Sequence, residues 1–391
     1  MRVASLPLPL CILAAPALTL LAVACGGGSP GGSPTWERLA NAEFPVALAF
    51  APDGRLFYNE LNTGNIRIVT PEGKLLAEPF AQLDIATLGY PPSEWGLIGL
   101  TLDPDFGSNH YVYVYFMESV RAVEPGDDIV TRLVARPVVK RFTEVDNRAV
   151  DPTVILADLP ETDPRRQPWH VAGNIHFGPD GYLYVSIGEM RQDELAQDRG
   201  TVHGKILRVN KEDGAAPADN PFVGMADADQ RIFAYGFRNP FDFAFQPETG
   251  RMYVTENGDL ACDELNLVTA GGNYGWPGDD GFDGCLKVAH VPPVYSFALP
   301  GRLPEESTVA PTGIEFVSSD LYPSLNGSLL VCEWKTGFMR GLVLSGSNGD
   351  QVVEDDIVVR DCRLDIAISA DGFIYYSNDE EIWRLPTKEP R

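Results

Sequence analysis

One short phrase recurs six times along this chain: an apolar strand, a Pro-Asp-Gly-like turn, then an aromatic-rich strand. It occurs at Ala47–Tyr58 (ALAFAPDGRLFY), at Leu100–Gly107 running into Tyr111–Tyr115, at Ile175–Ser186 and at Phe243–Val254. A looser copy spans Tyr322–Val331, and the last is Ile366–Tyr376. A tight reversal needs the preset φ of proline and the positive φ that glycine tolerates, so each phrase reads as a β-hairpin. The strands are short, β-branched and aromatic, bounded by Gly and Pro, and sustained helical periodicity is nearly absent. The chain is therefore all-β. Six such units closed into a ring make a six-bladed β-propeller, which leaves only short, protected sheet edges. The copies lie further apart than a compact four-stranded blade requires, so long inter-strand loops are expected, and such loops carry a propeller's chemistry. A pair of β-sandwiches gives no reason for one turn phrase to repeat from end to end. Trp36-Glu-Arg-Leu39 and Glu381-Ile-Trp-Arg-Leu385 are expected to share the last blade and close the ring.

Before the first copy comes an export signal. Arg2, the apolar run Leu6–Val23 broken by Pro7, Pro9 and Pro16, and Leu21-Ala-Val-Ala-Cys25 read as a lipoprotein-type signal over residues 1–24. An ordinary signal peptide cut after Ala24 is the alternative. Cys25 is then the lipidated N-terminus, residues 25–34 form a Gly/Ser/Pro tether, and residues 35–391 form the propeller domain. The protein is expected in the bacterial cell envelope, held to the membrane only by its lipid, since the apolar run is short and proline-broken. With 55 acidic against 30 basic residues, a net charge of −25, it lacks the basic surface that neutralises a phosphate backbone, so nucleic acid is disfavoured and not expected as a partner. Beyond Cys25, the cysteines Cys262, Cys285, Cys332 and Cys362 suit disulfides in an oxidising compartment. Three pairings are open, and the local ones, Cys262–Cys285 and Cys332–Cys362, are expected. No CxxC spacing indicates zinc. Nothing signals a dimer, so a monomer is the expectation.

Three groups of residues carry chemistry. His170 ends a polar, proline-bearing loop and is followed by a strand, with Glu189 at the far end of the same hairpin. A histidine oriented by a carboxylate is what a general base requires. His110, His176 and His290 read as turn or structural histidines, and His203 is ambiguous. The loop Glu256–Glu264 holds four carboxylates beside Gly258, without EF-hand spacing, and reads as a calcium site or a solvated acidic loop. Arg238, Lys335 and Arg363 are scarce cations beside glycine or aromatic residues, and together they suit a polyanionic ligand.

The chain resembles the soluble pyrroloquinoline quinone (PQQ) glucose and aldose sugar dehydrogenases from Pro45 to Leu385. The resemblance is carried by Glu94-Trp-Gly-Leu-Ile-Gly-Leu100, Asp103-Pro-Asp-Phe106, His170-Val-Ala-Gly173, Gly204-Lys-Ile-Leu-Arg208, Tyr235-Gly-Phe-Arg-Asn-Pro240, Asp263-Glu-Leu-Asn-Leu267 and Gly272-Asn-Tyr-Gly-Trp276. It implies a six-bladed propeller in which His170 is the base that takes the proton of the sugar's anomeric hydroxyl as hydride passes to the quinone. Glu189 stands where the family usually has an aspartate orienting that base. Arg238, Asn239, Thr308, Lys335 and Arg363 are implied to hold PQQ, and Gly258 and Asp259 to offer backbone carbonyls to Ca²⁺. Glu264 and Tyr274 match ligands of a further calcium. Two departures stand out. The family's Arg-x-Arg-Asp-Val string is here Cys362-Arg-Leu-Asp-Ile366, with one arginine displaced by a position, and its tryptophan before Thr308 is replaced by Glu306-Ser307.

The function implied is oxidation of an aldose at C1 to its lactone, with the electron acceptor and the sugar unspecified by sequence. The alternatives are a non-redox surface propeller that binds sugar, glycan or protein, and a calcium-dependent lactonase.

Overall fold

The protein is described from a computed structural model that covers residues 36–88, 94–167, 169–278, 290–346 and 349–387. The expected signal, Cys25 and the tether lie outside the described residues, as does Cys285.

Six four-stranded antiparallel sheets are formed among the described residues, in sequence order around a ring. Blade 1 comprises Leu48–Phe50, Leu56–Asn59, Asn65–Val69 and Ala81–Gln82. Blade 2 comprises Leu97–Leu102, Tyr111–Ala122, Leu133–Val145 and Arg148–Leu156. Blade 3 is built from Ile175–Phe177, Leu183–Ile187, Lys205–Val209 and Ile232–Tyr235. Blade 4 takes Pro240–Phe245, Met252–Glu256, Glu264–Val268 and Tyr295–Ser296. Blade 5 takes Pro311–Phe316, Leu329–Glu333, Phe338–Ser345 and Gln351–Arg360. Blade 6 pairs Ile366–Ile368, Ile374–Ser377 and Glu381–Arg384 with the N-terminal strand Glu37–Asn41. The ring thus closes as the sequence predicts, with Glu37 opposite Arg384 and Asn41 opposite Glu381.

The repeated phrase joins the first and second strands of the blades. Its glycine takes the left-handed conformation at Gly54 (φ 86°), Gly181 (φ 80°) and Gly372 (φ 86°), and each donates its N–H three residues back to close the turn. The copy in blade 2 departs from a tight hairpin. There a four-residue helix, Phe106–Asn109, makes the reversal and ends at His110 with φ 57°. Strand faces bury Phe57, Tyr113, Tyr115, Phe116 and Tyr253 between adjacent blades, so the core is a set of inter-blade seams. The expected bond between Cys332 and Cys362 is present, with Cα atoms 5.1 Å apart. Cys262 is also disulfide-bonded.

Polar side chains tie neighbouring blades together. Asp365 accepts the N–H of Leu48 at 2.7 Å, joining blade 6 to blade 1. Asp242 accepts that of Ile314 at 3.3 Å, joining blades 4 and 5. Asn59 donates to the carbonyls of Leu97 and Ile98 at 3.1 and 2.8 Å, joining blades 1 and 2. His176 bonds Asp242 at 2.8 Å. Burial disfavours its charged form, yet Asp242, Asp365 and Glu315 outweigh that and hold the imidazole above its ordinary value. Glu315 faces the same group, and burial pushes its carboxyl up to about 7, against the Phe316 N–H and His176. The folded chain therefore keeps this proton after the unfolded chain, with its ordinary value of 4.5, has lost it. The stability it contributes is present below pH 4.5 and is lost as pH rises through about 7. Urea midpoints across that window should fall more steeply for the native chain than for Glu315→Gln; equal slopes would remove Glu315 from the account.

Candidate functional site

The loop from Thr162 to Asn174 leads from blade 2 into blade 3 and delivers His170 to the mouth of the ring. Its backbone is held in an unfavourable shape, with φ of 60° at His170 and 47° at Ala172. Such strain persists only where surrounding contacts over-determine it. Glu94 accepts the N–H groups of His170 and Val171, and Asn239 accepts that of Ala172 at 3.1 Å. The His170 carbonyl accepts the Met190 N–H at 3.0 Å and packs against Gly188, where an added Cβ would approach it to 2.0 Å. Only glycine fits there.

The imidazole is buried, and its Nδ1 lies 2.6 Å from Oε1 of Glu189. Glu189 is fully enclosed, and its own N–H is bonded to the Arg238 carbonyl at 2.8 Å. Burial, reinforced by Arg238 and Arg191, pushes His170 down to about 2. The ring is consequently neutral at physiological pH, with Nε2 on the side away from Glu189. A cavity of about 240 Å³ opens beside it, lined by Phe44, Glu94, Trp169, Asn257 and Trp334 among others.

The predicted cations gather at the same end of the ring. Arg238 Nη1 donates to the carbonyls of Asn257 and Gly258 at 3.0 and 2.8 Å, and Nη2 to Asp259 at 2.8 Å, while its buried Nε has no acceptor. Lys335 contacts the Thr308 hydroxyl, and Arg363 donates to the Trp334 carbonyl at 2.6 Å. Asp263 fixes this arrangement by accepting N–H groups from Gly258, Val309 and Ala310, joining the acidic loop to the segment that carries Thr308. Burial pushes Asp263 up to about 6 despite those three donors.

The model of the Glucose / Sorbosone dehydrogenase family matches residues 42–385. The chain belongs to that family. Within it, the Escherichia coli aldose sugar dehydrogenase YliI is 28% identical over 364 residues, covering 89% of this chain and 91% of that protein. Quinoprotein glucose dehydrogenase B of Acinetobacter calcoaceticus is 31% identical over 268 residues, covering 62% of this chain and 52% of that one. The solved apo-form of the soluble aldose sugar dehydrogenase of Escherichia coli superposes with a TM-score of 0.74 at 25% identity, covering 91% of this chain and 99% of that one.

Two of the chain's departures from its glucose/sorbosone dehydrogenase relatives take a definite form. Displacing an arginine by one position reverses its direction on a strand, but Arg363 precedes the strand Ile366–Ile368 and lies in irregular backbone. Its guanidinium sits 5.8 Å from the ring of Trp334, a residue that lines the cavity. Glu306, in place of the tryptophan, is exposed.

Among the described residues no three His, Cys, Asp or Glu side chains converge as a metal cluster. The expected calcium ligands fall into two places. Gly258 and Asp259 lie under Arg238. Glu264 lies directly opposite Glu256 in the strand register, so two buried carboxylates share a face. The Tyr274 hydroxyl donates to the Leu267 carbonyl and accepts the Thr269 N–H, with its ring stacked 4.5 Å from Phe237. His203, which the sequence leaves ambiguous, is bonded to Thr201 and Gln192. Sequence reasoning gives no role to Glu94, Asp263 or Arg191. Glu94 lies inside a quoted family string, and Asp263 lies both in such a string and in the acidic loop Glu256–Glu264.

Proposed function

We propose that this protein is an exported, lipid-anchored sugar dehydrogenase that oxidises an aldose at C1 to its lactone with bound PQQ and Ca²⁺. The observation that carries the reading is the neutral, buried His170, oriented at Nδ1 by Glu189 and opening on a cavity of about 240 Å³.

The residues present fit the cofactor. PQQ carries three carboxylates, and this end of the ring offers Arg238 with an unsatisfied buried Nε, Lys335 with Thr308, Arg363 and Asn239. The carbonyls of Gly258 and Asp259 are hard oxygen donors of the kind Ca²⁺ takes, and a carbonyl that already accepts one bond retains a second lone pair. Glu256 and Glu264 add two buried carboxylates on one strand face, hard oxygen donors of the same kind. When bound, PQQ supplies the two-electron acceptor for hydride, and Ca²⁺ supplies the Lewis acid that polarises it.

The chain's own residues do the rest. Nε2 of His170 accepts the proton of the C1 hydroxyl as the C1–H bond breaks. Glu189 accepts the Nδ1–H bond throughout, which fixes the tautomer and stabilises the imidazolium that forms. A positioned base of this kind contributes roughly 10²–10⁴ in rate. Trp169, Trp334, Phe44 and Phe241 wall the cavity with rings on which a sugar's C–H face can rest.

The test is dye reduction by the purified chain across a panel of aldoses, with PQQ and Ca²⁺ each added or withheld. Sugar-dependent reduction that requires both is expected. Absence of turnover in a folded, saturated protein would refute the reading. Calcium-dependent lactone hydrolysis without quinone would replace it.

A further inference from the structure

Behind the proposed base lies a second carboxyl that neither the sequence nor the family strings single out. Glu189 and Gln192 close a turn through a 3.0 Å bond from the Gln192 N–H to the Glu189 carbonyl. Its two central residues, Met190 and Arg191, are not glycines, yet both lie in the left-handed region at φ 54° and 60°. This strained reversal brings Asp193, the first residue of the short helical turn Asp193–Ala196, back against Glu189. Two oxygens in this pair are buried and bonded to nothing that supplies a proton: Oε2 of Glu189 and Oδ1 of Asp193. The two carboxyl groups are nonetheless in hydrogen-bond contact with each other. Two ionised carboxylates cannot make such a contact, because neither has a donor and like charges repel.

We propose that Asp193 is a positioning residue for the base: it shares one proton with Glu189, held between Oδ1 and Oε2, so that Oε1 stays an acceptor for the Nδ1–H of His170. The pair then carries a single negative charge. When His170 takes the proton of the sugar hydroxyl, imidazolium and pair together are neutral, and no proton need leave Nδ1.

The arrangement resolves a conflict at the site. Burial drives Glu189 strongly toward its protonated form, with Asp193 adding to that drive and Arg238 and Arg191 opposing it. A proton on Oε1 would be donated to Nδ1 and would force the imidazole hydrogen onto Nε2, where the base must be free. Asp193 draws the proton to the opposite oxygen. The groups facing Glu189 are thus His170 on one side, Asp193 on the other, and Arg238 and Arg191 flanking them.

The proposal rests on His170 being the base of a sugar dehydrogenase, but its first test does not. Infrared difference spectra of the cofactor-free protein, native minus Asp193→Asn, should show a protonated-carboxyl C=O band that the variant lacks and that shifts in ²H₂O. Glu194→Gln, the exposed neighbour, should leave that band in place. No difference band would overturn the shared proton whether or not the chain oxidises sugars. The second test uses the PQQ- and Ca²⁺-loaded enzyme. Asp193→Ala should lower kcat about tenfold at neutral pH, with KM little changed and activity recovering as pH rises and Glu189 ionises. Asp193→Asn, whose amide donates to Oε2, should restore most of the rate. A loss equal at every pH, or no loss in Asp193→Ala, would overturn the positioning role.

Discussion

Replacing His170 with alanine lowers kcat by about 10²–10⁴ and leaves the affinity for PQQ within about twofold. The expectation follows from where the imidazole sits. It bonds Glu189 through Nδ1 and borders the cavity, but the cations proposed to hold the cofactor, Arg238, Lys335 and Arg363, are separate side chains. Single-turnover dye reduction measures the rate, and a PQQ titration followed by absorbance measures the affinity. A loss below tenfold would mean that another group takes the proton. The pH dependence carries the same information. Burial, Arg238 and Arg191 all disfavour the imidazolium, so the acid limb of kcat/KM should lie well below the 6.5 of an ordinary histidine. The base is free to take the sugar's proton over the whole neutral range.

Lys335→Ala is expected to weaken PQQ binding roughly 10- to 150-fold, the equivalent of one charge-assisted hydrogen bond of about 1.5–3 kcal/mol. Lys335 contacts Thr308 and stands near Asp263, which ties its surroundings to the Gly258 loop. Removing the ammonium leaves that tie intact, since Asp263 holds the loop through backbone N–H groups rather than through Lys335. The aldose KM at saturating PQQ should therefore move little. Arginine should restore the affinity only in part, because a planar fork does not replace a compact ammonium. Unchanged affinity in a folded Lys335→Ala protein would place the cofactor's carboxylates elsewhere.

The propeller is legible in the sequence because its information is local. A Pro-Asp-Gly turn with a glycine at φ near 80° is written in consecutive residues, and its repetition sets the blade count. The ring closure is legible for the same reason: Trp36–Leu39 and Glu381–Leu385 are strand-like segments at the two ends of the repeat array, and they pair in the last blade. The pairing of His170 with Glu189 can be reached because both end the same hairpin. Glu94 cannot be reached in that way. It lies 76 residues from the backbone N–H it accepts at His170, and only the meeting of blades at the axis brings them together. Arg363 misleads a sequence argument, because a one-position displacement matters most on a strand. In the structure the strand begins three residues later, and the guanidinium reaches the Trp334 carbonyl. Asp193 is invisible because its contact with Glu189 depends on two non-glycine residues taking a left-handed turn, which no composition or spacing rule anticipates.

The measurement that bears most directly on the central claim is a single-turnover reaction of the PQQ- and Ca²⁺-loaded enzyme with its best aldose, unlabelled and deuterated at C1. A primary isotope effect on cofactor reduction, with lactone as product and both lost in His170→Ala, is the result expected if Nε2 takes the hydroxyl proton as hydride leaves C1. Reduction at equal rates for the two sugars, or turnover that survives the loss of His170, would contradict it.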